Sequence, residues 1–297
     1  MGSSPYNSPF GDDRPVREEI GPDAELLSPD SGRTPPELEP KPRPWWSYAP
    51  ATYLLLGINC LVFLAMTVRG VSIWGPTTEQ LKFWGGDNAG SVLVYGEWSR
   101  IVTAMFVHVG WIHLATNMWC LWNLGLLAEP LMGSAGVLAV YILTGAAGNL
   151  LSTLYNWWKW YPDWTTTHSL SSFPSGAGAS GAVFGIAGAL ILLLGSHQLP
   201  VPKVELNKLR RSVMYFAGIN LAIGIVISLN VVVAHTGVSI DNSAHLGGVL
   251  CGLLFAAPMV PRPGSPRDLF LIRRRLAAGM VVGILILFGF YLSTLAR

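Results

Sequence analysis

The sequence predicts an all-α polytopic membrane protein, and three observations lead there. Of its 297 residues, 51% are hydrophobic and only 12% are charged, with a mean hydropathy of +0.43. That apolar excess is far above what the core of a soluble domain needs. Seven segments approach the ~20 apolar residues that a bilayer demands, at 49–68, 111–128, 136–155, 180–196, 213–233, 243–260 and 276–295. Small residues recur at four-residue spacing in two of them, Gly181 with Gly185 and Gly248 with Gly252, a pattern that lets helices in lipid approach closely.

Each element follows in order. Residues 1–44 are rich in Pro, Ser, Asp and Glu and poor in aliphatics, so a disordered tail is expected. No basic n-region, apolar core and small-residue cleavage site opens the chain, so the span at 49–68 is expected to be retained and not removed as a signal peptide. The 69–110 connection carries "GEWSRIVTAMFVH", a mixture of aromatics and aliphatics suited to the membrane interface, and is expected to be structured. Spans at 111–128 and 136–155 follow, then a connection whose Trp157, Trp158, Trp160 and Trp164 suit an interfacial belt. The 180–196 span is short and glycine-rich, which suits a helix buried among others. Spans 213–233 and 243–260 complete a six-helix unit over residues 45–260. Residues 261–297 then read as a basic cytoplasmic loop and a seventh span. No repeat of 20 to 50 residues is seen.

Lys and Arg set the orientation, because they are retained on the cytoplasmic side. With the tail inside, the cytoplasmic segments hold five in the tail, four in 197–212 (Lys203, Lys208, Arg210, Arg211) and five in 261–275 (Arg262, Arg267, Arg273, Arg274, Arg275). The opposite side holds Arg69, Lys82, Arg100, Lys159 and Arg297. Fourteen against five predicts a cytoplasmic N-terminus and an external C-terminus. The net charge of +2, with its basic residues scattered, does not suggest a nucleic-acid surface and directs the search for partners to the bilayer. Cys60, Cys120 and Cys251 all fall in apolar stretches and suggest neither a disulfide framework nor a zinc site.

Polar groups inside such spans are costly, and each is a functional hypothesis by default. His113 and Asn117 are four apart in "HVGWIHLATNMWC" and share a helical face; Ser180 sits in "GASGAVFG"; His245 sits in "DNSAHLGGVLCG". The topology puts all four toward the external ends of the second, fourth and sixth spans. At ~100° per residue, Gly248 and Gly252 share the stripe of His245, so the imidazole faces whichever helix packs there. If that is the fourth helix, imidazole meets hydroxyl. A neutral imidazole can take a serine proton as the oxygen attacks a carbonyl, and the resulting oxyanion needs preorganised donors. The free N–H groups at the start of the Ser180 helix, with the side chains of Asn117 and His113, are candidates.

"GASG" with Ser180, "HLATN" with His113 and Asn117, "NSAHLGG" with His245 and the loop stretch "GEWSR" together resemble the rhomboid intramembrane serine proteases. The resemblance covers roughly residues 50–260, and the seventh span looks like the six-plus-one form of that family. It implies a rhomboid-like six-helix core, a Ser180–His245 dyad with no required acid, and an acyl-enzyme intermediate. It also implies oxyanion stabilisation by His113, Asn117 and the Ser180 region, with Gly178, Gly181, Phe184, Gly248 and Gly252 packing the site. Trp98 and Arg100 stand for the family's Trp-Arg loop pair, with Ser99 interposed here. Phe184 stands where many members have tyrosine, so stacking on the base survives without a phenolic hydroxyl. Implied partners are single-span membrane protein substrates and the lipid bilayer of a prokaryotic inner membrane. No metal or organic cofactor is implied, and the oligomeric state is left open.

Other classes fit less well. "HVGWIH" lacks the spacing and the glutamate of a zinc protease motif. No aspartate lies inside a span, as an intramembrane aspartyl protease would require. Ala182 occupies the second glycine of the soluble-hydrolase elbow. A rhomboid-like pseudoprotease or derlin-like binder of client helices lacks the nucleophile or the base, whereas both residues are present here. A transporter would show paired, interrupted half-helices in an inverted repeat. His108 reads as interfacial, and His168, His197 and His235 as residues of connections or helix ends.

Overall fold

A computed structural model describes residues 45–196, 201–234, 240–260 and 267–296. The tail expected at 1–44, together with His197, His235, Arg262 and Arg297, lies outside these described residues. Among the described residues ten α-helices follow one another: α1 Pro50–Val68, α2 Thr78–Phe83, α3 Ala89–Leu93, α4 Arg100–Thr103, α5 Trp111–Met132, α6 Ser134–Thr167, α7 Ser180–Leu193, α8 Lys203–Ala234, α9 Asn242–Ala256 and α10 Arg267–Thr294. No β-strand occurs among the described residues; an isolated antiparallel bridge joins Asp87 to Gly176. This is an all-helical, multi-pass membrane fold with a distinct C-terminal span.

Helices α1, α6, α8 and α10, and α9 together with the 3-10 turn that continues it to Met259, are long and apolar enough to cross a bilayer. The segment Arg100–Phe106 with α5 makes a sixth if that pair, bent by 93°, counts as one span. The fourth expected span, at 180–196, falls short: α7 has 14 residues, about 21 Å at 1.5 Å per residue, against a hydrocarbon core of about 30 Å. Its surroundings explain how so short a helix is accommodated. Residues 181 to 190 are all buried, and α7 packs on α5, α6, α8 and α9. It meets protein in place of lipid.

Three other helices overrun their expected bounds, each for a visible reason. Helix α6 runs on through the aromatic stretch to Thr167, because Trp157 stacks on Phe173 with centroids 5.5 Å apart and also meets Tyr161 and Trp164. Helix α8 starts at Lys203, and Arg210 donates to the Ile191 carbonyl in the last turn of α7 at 3.0 Å. Helix α10 starts at Arg267, and Arg274 donates to the Met132 carbonyl at the end of α5 at 2.9 Å. The basic residues expected in loops therefore lie on helices. Arg210 and Arg274 satisfy orphan carbonyls at the negative ends of neighbouring ones.

The opposite helix end is served by an acid. Pro50 opens α1, where its missing N–H costs nothing. The next two N–H groups, of Ala51 and Thr52, each donate to the Glu129 carboxylate of α5 at 2.9 Å, and the Thr52 hydroxyl adds a third bond at 2.7 Å. The 69–110 connection is structured, as expected, by α2, α3 and α4. Arg100 holds it closed: Nη1 donates to the carbonyls of Lys82 (2.6 Å) and Gly86 (2.9 Å) while Nε pairs with Glu97. Trp98 packs beside it, with its ring 3.7 Å from where a Cβ on Gly289 of α10 would stand.

Candidate active site

Glycine decides how closely α7 and α9 approach. A Cβ on Gly248 would lie 2.0 Å from the Gly181 carbonyl oxygen, and one on Gly252 would lie 2.0 Å from that of Gly185. Matched contacts one turn apart mean that the two helices run parallel with backbone against backbone. Gly185 also faces the Thr144 hydroxyl of α6, where a Cβ would fall 1.9 Å away, so α7 is wedged between α6 and α9. The small-residue stripes expected to bring these helices together do so.

This packing sets the height of His245. It lies in the first turn of α9, 7% exposed, and its ring stacks on Phe184 with centroids 4.2 Å apart and planes 11° from parallel. Phe184 is one turn along α7 from Ser180, which is the first residue of that helix and half-buried. The imidazole thus stacks on a ring one turn along α7 from Ser180. Its Nδ1 is buried with no hydrogen-bond partner among the described residues.

His113 reaches the same place from α5. Gly178, two residues before Ser180, has φ +138°, where a side chain is strained, and a Cβ there would meet His113 Cε1 at 2.6 Å. Gly178 also donates its N–H to the Ala104 carbonyl at 3.0 Å, fixing the approach to α7. His113 Nδ1 accepts from the Val109 N–H at 3.4 Å, and Asn117 Nδ2 donates to the His113 carbonyl at 2.9 Å. The Asn117 amide therefore spends one donor proton within its own helix and keeps one.

Two findings lie outside the sequence reading. His108, expected at the interface, is 0% exposed with its ring 5.4 Å from that of His113, and its Nε2 is buried without a partner among the described residues. The bend between α4 and α5 turns it inward. A polar network at the same end of the bundle joins Asp87, Ser152, Thr153 and Asp241. It could not be found by searching the spans for acids, although "DNSAH" carries an N-cap signature. No group of three or more potential metal ligands occurs among the described residues.

A multi-pass helical bundle in which His245 of α9 stacks on Phe184 of α7 and His113 of α5 meets Gly178, just before the serine that opens α7, is the class that fold and site define. The Rhomboid domain pattern matches residues 95–262, and the chain belongs to the rhomboid family. It is 30% identical over 240 residues to rhomboid protease GluP of Bacillus subtilis (strain 168), covering 81% of this chain and 40% of that protein. It is 27% identical over 241 residues to rhomboid protease AarA of Providencia stuartii, covering 80% of this chain and 83% of that protein. RHOMBOID-like protein 6, mitochondrial, of Arabidopsis thaliana is 30% identical over 191 residues, 64% of this chain and 53% of that protein.

Proposed function

We propose that this protein is an intramembrane serine endopeptidase that cleaves transmembrane or juxtamembrane segments of other membrane proteins. Ser180 is the nucleophile and His245 its base. The stack of His245 on Phe184 carries this reading, because it fixes an imidazole on a ring one turn along α7 from Ser180. The relatives named as rhomboid proteases support it.

In the reaction, Ser180 Oγ bonds to the scissile carbonyl carbon as the neutral His245 imidazole takes the hydroxyl proton. The oxyanion is met by the free N–H groups at the start of α7 and by side-chain donors from His113 and Asn117. Collapse breaks the C–N bond, the imidazolium returns its proton to the leaving amine, and the acyl group stays on Ser180. Water then attacks the ester, with His245 again taking a proton, and releases the acid and the free serine. A helical substrate shields its peptide bonds by its own hydrogen bonds, so it must unwind first. Segments with a weakened helix are therefore the expected substrates, and the family resemblance implies a small residue before the cleaved bond. The charge distribution puts the N-terminus in the cytoplasm and the site toward the external face.

Reconstituted in proteoliposomes with a single-span substrate, the parent protein should release two fragments, and Ser180→Ala and His245→Ala should release neither. Cleavage near the parent rate by either variant would overturn its assignment.

A further inference from the structure

We propose that Asp87 and Asp241 are positioning residues for the Ser180–His245 pair: bridged by helix α6, the two acids clamp the segment before Ser180 to the start of α9, and the clamp loosens as pH rises. The inference rests on the proteolytic reading above only for its effect on activity.

Each acid holds one half of the site. Asp87 is 3% exposed, just before α3. Its N–H donates to the Gly176 carbonyl at 2.7 Å and its carbonyl accepts from the Gly176 N–H at 2.8 Å, which pins the chain four residues before Ser180. Asp241 caps α9: Oδ1 accepts from the Ala244 N–H at 3.0 Å and from the Ser243 hydroxyl, one residue and two residues before His245.

Helix α6 joins the two. Thr153 Oγ1 lies 3.2 and 3.3 Å from the two oxygens of Asp87, and the adjacent Ser152 donates to Asp241 Oδ2 and also acts on Asp87. A Cβ on Gly176 would stand 3.8 Å from Asp87 Cβ and 3.9 Å from Asp241 Oδ2, so both acids close round the same glycine. The titratable groups in reach are these two and His245, one turn along α9, on which Asp241 acts electrostatically. Helix α6 contributes the uncharged Ser152, Thr153 and Asn156, and the 87–91 turn contributes Asn88.

Two neighbouring carboxylates repel each other, and a proton on the buried Asp87 removes that repulsion and adds an O–H donor. Burial first, and the Asp241 charge second, push Asp87 up to about 7. The folded protein therefore keeps this proton through a range in which an unfolded chain has released it. The stability it contributes is full below about pH 4, declines as pH rises, and is gone above about pH 7. Ionisation of Asp87 beside the Asp241 carboxylate loosens the Gly176 bridge beside Ser180 and the cap beside His245 together.

The full chain in detergent should be labelled with a fluorophosphonate from pH 5.5 to 9, as parent, Asp87→Asn and Thr153→Val. The parent rate should fall several-fold on the alkaline side of pH 7. Asp87→Asn should hold its rate there, and Thr153→Val, lacking a donor to the carboxylate, should move the fall to higher pH. A second readout needs no catalysis: Ser180→Ala should melt at a lower temperature at pH 8.5 than at pH 5.5, and adding Asp87→Asn should shrink that difference. An alkaline fall unmoved by both substitutions, or a melting difference unmoved by Asp87→Asn, overturns the proposal. No labelling of any variant with the melting result as expected supports the proton on Asp87 and overturns the proteolytic reading instead.

Discussion

Replacing Gly252 by alanine tests the packing that aligns the site with a single methyl group. The new Cβ would fall 2.0 Å from the Gly185 carbonyl oxygen and 2.8 Å from its carbon, both backbone atoms that cannot swing aside. Ordinary contact starts near 3.4 Å, so α7 and α9 must part locally by about 1.4 Å, an overpacking that typically costs ~1–3 kcal/mol. Alanine's helix propensity returns up to ~1 kcal/mol of this. The helix cannot retreat freely, because Gly148 and Gly247 also set α9 close to α6, where a Cβ would lie 2.6 and 2.8 Å from a backbone carbonyl oxygen. The displacement therefore reaches His245, and a misplacement of ~1 Å can cost ~10²-fold in rate. Fluorophosphonate labelling rate and melting temperature in detergent report the two consequences separately. Gly57→Ala in α1 and Gly279→Ala in α10 are the controls, since nothing lies within 4 Å of a Cβ at either. Gly252→Ala should label ~10²-fold more slowly than these controls and melt lower. If it matches Gly57→Ala in both, the α7–α9 contact does not align the site.

Three further outcomes follow from the same geometry. Gly178→Ala forces a side chain at φ +138° and into His113; strain of order 1–3 kcal/mol should slow labelling sharply, and a parental rate would mean that the approach to α7 tolerates a side chain. Asn117→Ala should lower kcat by about 10²-fold with KM little changed, as befits a donor used in the transition state; a raised KM at constant kcat would recast it as a binding residue. Glu129→Ala strips the cap from α1 and should destabilise by about 1.5–3 kcal/mol, seen in chemical or thermal unfolding, while the folded fraction still labels at the parent rate. An unchanged midpoint would show that water replaces the carboxylate.

The helical class, most of the spans and the close approach of α7 and α9 were legible because each rests on local pattern. Apolar runs mark α1 and α9, and four-residue glycine spacing marks the α7–α9 contact before any partner is known. Helix ends were less legible. The run "WWKWYPDW" reads as an interfacial connection, but Trp157 finds Phe173 across a turn and α6 continues past Pro162. Lys203 and Arg273 to Arg275 read as loop charges until α7 and α5 are seen to end beside α8 and α10. Asp87 and Asp241 were invisible as a pair, since 154 positions separate them and only α6 brings them together.

The central claim is that Ser180 is a nucleophile served by His245, and its most direct test is where a mechanism-based probe bonds. The parent protein should be treated with a fluorophosphonate in detergent, digested, and the adduct mapped by mass spectrometry, with His245→Ala alongside. A single adduct on Ser180 that is lost in His245→Ala is the expected result. An adduct on another residue, or labelling of Ser180 undiminished without His245, would contradict the account.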